Sequence, residues 1–316
     1  MALSELPLID LYIGQDFADY RDQSGDDAPR LTVPARYADE IAEIRAKCIK
    51  LYHDHKQREF ALPHGSDLFR VTAIPDVTYD PILILSRAAP DVPPFGSLGL
   101  PDHIAHIVTD KHARGLLLIA GDQGAGKTTT MAVLLAERVR ALGAFGLALQ
   151  DPVENNIRGL HGDGRIIQQP VEGVTGYADA ALTAVRARIK NISFGEIRSD
   201  AHGINASTAI DLARSGCLIM ATIHASSMEQ AMDRLVEAAR IRLGNEAPKV
   251  VADALTAVLW QRLDVTGRKT RAVITGLSFI EADDGNALRN VVRDNKLHQI
   301  DSFVQQQKAR FLWQQQ

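Results

Sequence analysis

An α/β chain is what the sequence predicts: a parallel sheet wrapped by helices, behind a smaller α+β unit. Three observations predict it. From about residue 102 onward, short apolar runs alternate with helical patterns, as they do in crossover-built sheets. One run, Gly115 to Ala120, leads into a glycine-rich loop and then a helical stretch. Between the two parts, Ala88 to Pro101 is dense in proline and glycine and marks a linker. The expected organisation is residues 1–88, a linker at 89–101, and a second domain at 102–316.

In the first part, Tyr37 to His55 carries Ile41, Ile44, Cys48 and Leu51 at helical spacing. Leu68–Ala73 and Pro81–Arg87 read as strands, with a turn around Asp80 before the second. In the second part four strands are expected. Gly115–Ala120 feeds the loop. Phe145–Leu149 ends at Gln150-Asp151-Pro152-Val153-Glu154. Asn191–Phe194 ends at Gly195-Glu196, and Cys217–Ile223 ends at His224. Thr129 to Leu142 reads as the helix after the loop. Val251–Leu263 reads as an amphipathic helix, Arg271–Ile280 as a strand, and Ala287–Val292 as a helix. The glutamine-rich tail from Gln305 to Gln316 is expected to fray. Trp260 and Trp313 read as core and tail packing.

Bulk composition narrows the function. The chain has 316 residues, 46% of them apolar, enough for a sizeable core. A net charge of −4 argues against a bulk nucleic-acid binder, though it leaves room for a local basic patch. Only two cysteines occur, far apart, which predicts a reduced compartment and excludes a C-x-x-C zinc site. No apolar run approaches the ~20 residues of a membrane helix. The first residues lack the pattern of a secretory signal. A cytoplasmic protein without membrane insertion or direct nucleic-acid contact is expected.

The chemistry begins at Gly121-Asp122-Gln123-Gly124-Ala125-Gly126-Lys127-Thr128, which fits G-x-x-x-x-G-K-[ST] and is followed by Thr129. Glycines let the backbone curl so that successive N–H groups face phosphate oxygens, and a helix start beneath them adds partial positive charge. Lys127 is expected on the β- and γ-phosphates of ATP, and the Thr128 hydroxyl on Mg²⁺. In an open parallel sheet, ligands sit at the carboxyl ends of strands. Glu196 stands at such an end, placed to act through the metal's water shell. Glu154 is the candidate for activating the attacking water, Asp151 for orienting waters or stiffening the turn, and His224 for sensing the γ-phosphate. Arg70 and Arg87 lie outside this domain, and an arginine from a neighbouring module can stabilise transition-state charge.

Together these residues resemble the secretion-ATPase superfamily of type II secretion, type IV pili and type IV secretion. Gly121–Thr128 is similar to its Walker A loop. Gln150 to Glu154 resembles its Asp box, with Gln150 in place of the first glutamate. Gly195-Glu196-Ile197-Arg198 resembles its atypical Walker B, with Ser199 where Asp is usual. Thr222-Ile223-His224-Ala225 resembles its His box, and Gln261-Arg262-Leu263 a further segment. The resemblance implies a PAS-like first domain, a flexible linker, a RecA-like P-loop motor and a hexameric ring. It also implies that Arg70, Arg87 or both reach nucleotide at a domain interface. Ala287 to Ile300 resembles a segment of the pilus retraction ATPases. That favours retraction, with an inner-membrane platform protein as partner and peripheral association with that membrane. The Pro-Pro linker and Leu-Trp-Gln-Arg-Leu also resemble ATPases of type IVB secretion and conjugation. Two alternatives therefore stay open: a secretion or conjugation ATPase, and a low-turnover nucleotide-dependent regulatory module, for which Gln150 speaks.

Overall fold

The structure, a computed structural model, describes residues 3–22, 29–55, 58–88, 92–266, 269–280 and 284–314. The chain divides into two compact units. One holds Met1–Asp91 with Pro152–Asn156, and the other holds Val92–Asp151 with Ile157–Gln316.

The first unit contains β1 (Asp10–Ile13), β2 (Ala18–Arg21), β3 (Leu31–Thr32), α1 (Ala38–His55), β4 (Glu59–His64), β5 (Asp67–Ile74) and β6 (Ile82–Arg87). Its strands form one antiparallel sheet in the order β3-β2-β1-β6-β5-β4. Alternate residues such as Phe69, Val71 and Ala73 on β5 turn inward. They pack with Ile41, Ile44 and Cys48, which the helical spacing of α1 puts on one face. Burial pushes the Cys48 thiol up to about 12, so it stays protonated and inert. The strands before residue 59 go beyond the sequence expectation. They are short, and their one-sided patterns carry little periodic signal.

The second unit runs α2 (Asp102–Thr109), β7 (Gly115–Gly121), α3 (Lys127–Leu142), β8 (Phe145–Gln150), β9 (Gly159–His161), β10 (Gly164–Pro170), α4 (Gly173–Arg186), β11 (Asn191–Glu196), α5 (Ile204–Arg214), β12 (Leu218–His224), α6 (Met228–Leu243), α7 (Ala247–Ala254), β13 (Leu255–Thr266), β14 (Lys269–Ser278), α8 (Gly285–Arg293) and α9 (Ile300–Gln314). Its sheet has the order β14-β13-β7-β12-β11-β8-β10-β9, and the six-strand block from β13 to β10 is parallel. Every residue of β7 is buried. Leu116, Leu118 and Ala120 face one core, and Leu117 and Ile119 face the other. Burial on both faces is why the sequence reads as a continuous apolar run there.

Three expectations are corrected. Val251–Leu263 is not one helix: α7 stops at Ala254, and the chain continues extended as β13 between β7 and β14. A strand buried on both faces has no alternation to separate it from a helix, and the long-range pairing decides. The tail does not fray before Gln314, because α9 docks through Gln307. The buried Gln307 amide donates to the Ser278 carbonyl and accepts from the Ser278 N–H, both at 2.9 Å. Gln315 and Gln316, and the side chain of Trp313, lie outside the described residues. Residues 89–91 of the expected linker do so as well. Residues 92–101 instead pack on the second unit: Leu98 is buried in its core, with Val92, Phe95 and Leu100 against it. Among the described residues, no helix is long and apolar enough to cross a membrane.

Candidate nucleotide-binding site

The phosphate loop joins β7 to α3 at the carboxyl end of the sheet. Gly126 caps α3 at φ +81°, a left-handed conformation that side chains other than glycine adopt at a cost. Gly121 is required for a different reason. A Cβ there would meet the Gln261 carbonyl oxygen at 2.3 Å. The loop is clamped from β13 by the buried Gln261 side chain. Its amide nitrogen donates to the Ala125 carbonyl at 2.5 Å, and its oxygen accepts from the Thr130 hydroxyl at 2.7 Å. In the sequence, Gln261 stands out only as part of a family-like segment. A lone glutamine in a strand gives no local sign that it will hold a loop 136 residues away.

Lys127 is buried at the first turn of α3. Its ammonium donates to the carbonyls of Gly121 (3.0 Å) and Asp122 (2.8 Å), and lies 3.1 Å from His224 Nδ1. An ammonium has donors only, so Nδ1 must accept and the ring proton sits on Nε2. That nitrogen lies 3.0 Å from Glu196 Oε1, and the other carboxylate oxygen accepts from Arg198 Nε at 2.7 Å. The hydrogen bond from Arg198 to Glu196 holds the guanidinium pKa above its usual value. One string of contacts thus runs from the phosphate loop through the end of β12 to the end of β11.

Local backbone irregularity aims Glu196 into that string. The β11–β12 register slips between Phe194 and Glu196, as at a bulge, and Gly195 is the residue passed over. Thr222 pins it by donating to the Gly195 carbonyl at 2.8 Å. A Cβ on Gly195 would lie 2.2 Å from the Tyr177 hydroxyl oxygen. Burial and then the nearby Asp151 carboxylate push the Tyr177 phenol pKa up, so it remains a neutral hydroxyl. Beside Glu196 and His224 lies a cleft of about 390 Å³ that also touches Arg198, Ser199 and Arg234.

Asp122, Gln123 and Gly124 are exposed on the loop, Ala125 is buried, and Thr128 and Thr129 are half-buried at the start of α3. Glu154, Arg70 and Arg87 belong to the other compact unit. Glu154 and Arg70 are exposed. Arg87 is already engaged: it donates to the carbonyls of Leu6 (3.0 Å) and Leu3 (3.1 Å), pairs with Asp67 at 3.2 Å, and lies over the Phe69 ring. Asp151 accepts the Gly173 N–H at 3.0 Å, which stiffens the turn after β8. Gln150 is buried, and its side-chain oxygen accepts from Gln168 at 2.6 Å, so a neutral amide is well matched where a carboxylate would bury charge.

Among the described residues, no group of three or more His, Cys, Asp or Glu side chains could hold a metal by itself. Thr128 is half-buried at the start of α3, and Glu196 ends β11.

A family model for type II/IV secretion system proteins matches residues 82–310. The chain belongs to this family. Its phosphate loop and its kinship put it among the family's ATPases. It is 26% identical over 293 residues to a twitching motility protein of Neisseria gonorrhoeae, covering 90% of this chain and 75% of that protein. It is 31% identical over 228 residues to the uncharacterized protein YggR of Escherichia coli, covering 71% of this chain and 66% of that one. The match to the pilus retraction ATPase PilT of Pseudomonas aeruginosa is 28% over 199 residues, 61% of this chain and 54% of PilT. The chain thus spans roughly half to three quarters of these relatives' lengths. In fold it is similar to the Legionella pneumophila ATPase DotB, with a TM-score of 0.72 at 19% identity over 94% of this chain and 85% of that one. A crystal structure of the retraction motor PilT with bound ADP gives 0.71 at 24% identity, over 96% and 87%. These likenesses establish an α/β P-loop ATPase fold.

Proposed function

We propose that this chain is an ATPase that powers retraction of a type IV pilus. It acts as a cytoplasmic homo-oligomeric ring, a hexamer, against an inner-membrane platform protein. The observation that carries the reading is the Lys127–His224–Glu196 string, which ties the phosphate loop to a strand-end carboxylate. Sequence kinship with a twitching motility protein and with PilT supports the choice of load.

In this reading ATP lies on residues 121–129. The loop N–H groups and the start of α3 hold its phosphates. Lys127 exchanges the carbonyls of Gly121 and Asp122 for phosphate oxygens, which releases its hold on His224. Thr128 and, through water, Glu196 would hold Mg²⁺, which would neutralise charge on the phosphates. Glu154 takes a proton from the attacking water. His224 reports the γ-phosphate to Glu196. Arg70 stabilises charge from the first unit, which we read as PAS-like. Arg87, bonded to Leu3, Leu6 and Asp67, secures that unit's start instead. We read the second unit as a RecA-like motor.

Steady-state ATP hydrolysis of the unaltered protein, Glu154→Gln, Glu196→Gln and Lys127→Ala tests the chemistry. Turnover should fall about 100-fold or more in both glutamate variants, with nucleotide still bound. Unchanged hydrolysis in Lys127→Ala would reject the site. Tight binding without turnover in every form would favour a regulatory module. The fold likeness to DotB keeps a secretion motor as the second reading. Deleting the gene should abolish twitching while leaving surface pili. Normal twitching with lost cargo export would favour secretion.

A further inference from the structure

We propose a second anion-binding site in the second unit, at the end of the sheet opposite the phosphate loop, for a ligand carrying two or more phosphates. The amino ends of β7, β8 and β11 border a cavity of about 540 Å³, within the range of small-molecule sites. Four exposed cations line it: Lys111, Arg114, Arg188 and Lys190. The cavity lies one strand length from the loop, roughly 20 Å for the seven residues of β7.

Three observations carry the proposal. The first is charge. The chain as a whole is acidic, with 39 Asp and Glu against 35 Lys and Arg. Yet these four cations converge on one cavity, and among the described residues none of them forms an ion pair with a carboxylate. The nearby Asp110 carboxylate is turned to its own turn, accepting the His112 N–H at 2.9 Å.

The second is a buried charge on the same wall. Arg138, 2% exposed, also lines the cavity. Its guanidinium donates to the carbonyls of Val108, Asp110 and Ala113 and to the Asn191 side-chain oxygen, and the Asp110 carboxylate lies near enough to act on its charge. Asp110 offsets part of that charge, and the low-dielectric wall strengthens what remains of its field in the cavity.

The third is backbone strain at the rim. Arg188 has φ +58°, in the left-handed region, just beyond the end of α4. The Ile189 N–H reaches back to the Ala184 carbonyl and the Arg188 N–H to that of Val185, the helix-ending pattern that favours glycine. An arginine here is strained where glycine would not be. What the residue contributes in return is an exposed cation on the cavity's lining.

Isothermal titration with inorganic pyrophosphate on the Lys127→Ala chain tests the site with the phosphate loop disabled. Its outcome is therefore separable from the ATPase reading. Adding Arg188→Gly should weaken binding several-fold while keeping or raising Tm, because it relieves strain. Adding Arg114→Ala with Lys190→Ala should weaken it at least tenfold, and added salt should weaken all forms. A parallel arm uses phosphatidylglycerol–phosphatidylcholine vesicles. Binding confined to vesicles and lost in the same variants assigns the phosphates to a membrane surface, and binding of pyrophosphate assigns them to a soluble ligand. Either supports the site. No binding in both arms, or binding unchanged by these substitutions, overturns it.

Discussion

Gln261 shows how much a single neutral side chain can hold. Its amide satisfies one donor and one acceptor on the two sides of the phosphate loop, and it is fully enclosed. Truncation leaves the Ala125 carbonyl and the Thr130 hydroxyl buried without partners, at about 1–3 kcal/mol. Gln261→Ala should therefore lower stability by about that much in denaturant melts. It should also weaken nucleotide binding measured by titration. His224 is expected to behave differently, since it joins Lys127 to Glu196 without bearing the loop. His224→Ala should cut kcat by about 10- to 100-fold with little change in KM. An equal rise in KM would make it a binding group instead.

At the scale of elements, the end of β11 is where sequence and backbone geometry meet. Gly195 permits the bulge that turns Glu196 toward His224, and Tyr177 fills the space a side chain would need. Gly195→Ala should displace Glu196 and lower ATP turnover, and Tyr177→Phe in the same chain should restore part of it by removing the clashing oxygen. Helix α2 supplies a pH test. Burial depresses His103 to about 4, well below the ordinary 6.5. Between those values the unfolded chain binds the extra proton, so folding stability should fall as pH drops from 6.5 toward 4. Thermal melts across that window should show a shallower slope in His103→Leu.

At the scale of the whole molecule, the chain is two compact units whose cores are built on different principles. The first is an antiparallel sheet packed on one helix; the second is a mostly parallel sheet buried on both faces. The proposed ring is a property of many copies. Light scattering or native mass spectrometry with ATP and Mg²⁺ should give six times the 34.5 kDa chain mass. A monomer at working concentration under those conditions would end the ring proposal.

Local chemistry explains what was legible in the sequence. The phosphate loop, the strand-end positions of Glu196 and His224, and the alternation of strands and helices are short-range patterns: the loop joins β7 to α3, and the two residues end β11 and β12. Periodicity also found α1, β5 and β6, because each has one buried face. Tertiary structure decided the rest, since it depends on partners far along the chain. β13 is a strand because β7 and β14 pair with it, and the tail is ordered because Gln307 reaches Ser278. Gln261 holds the loop, and Arg87 is tied to Leu3 and Leu6, through bonds that span more than eighty residues. Sequence determined which groups can do chemistry. Long-range hydrogen bonding and burial determined which of them meet.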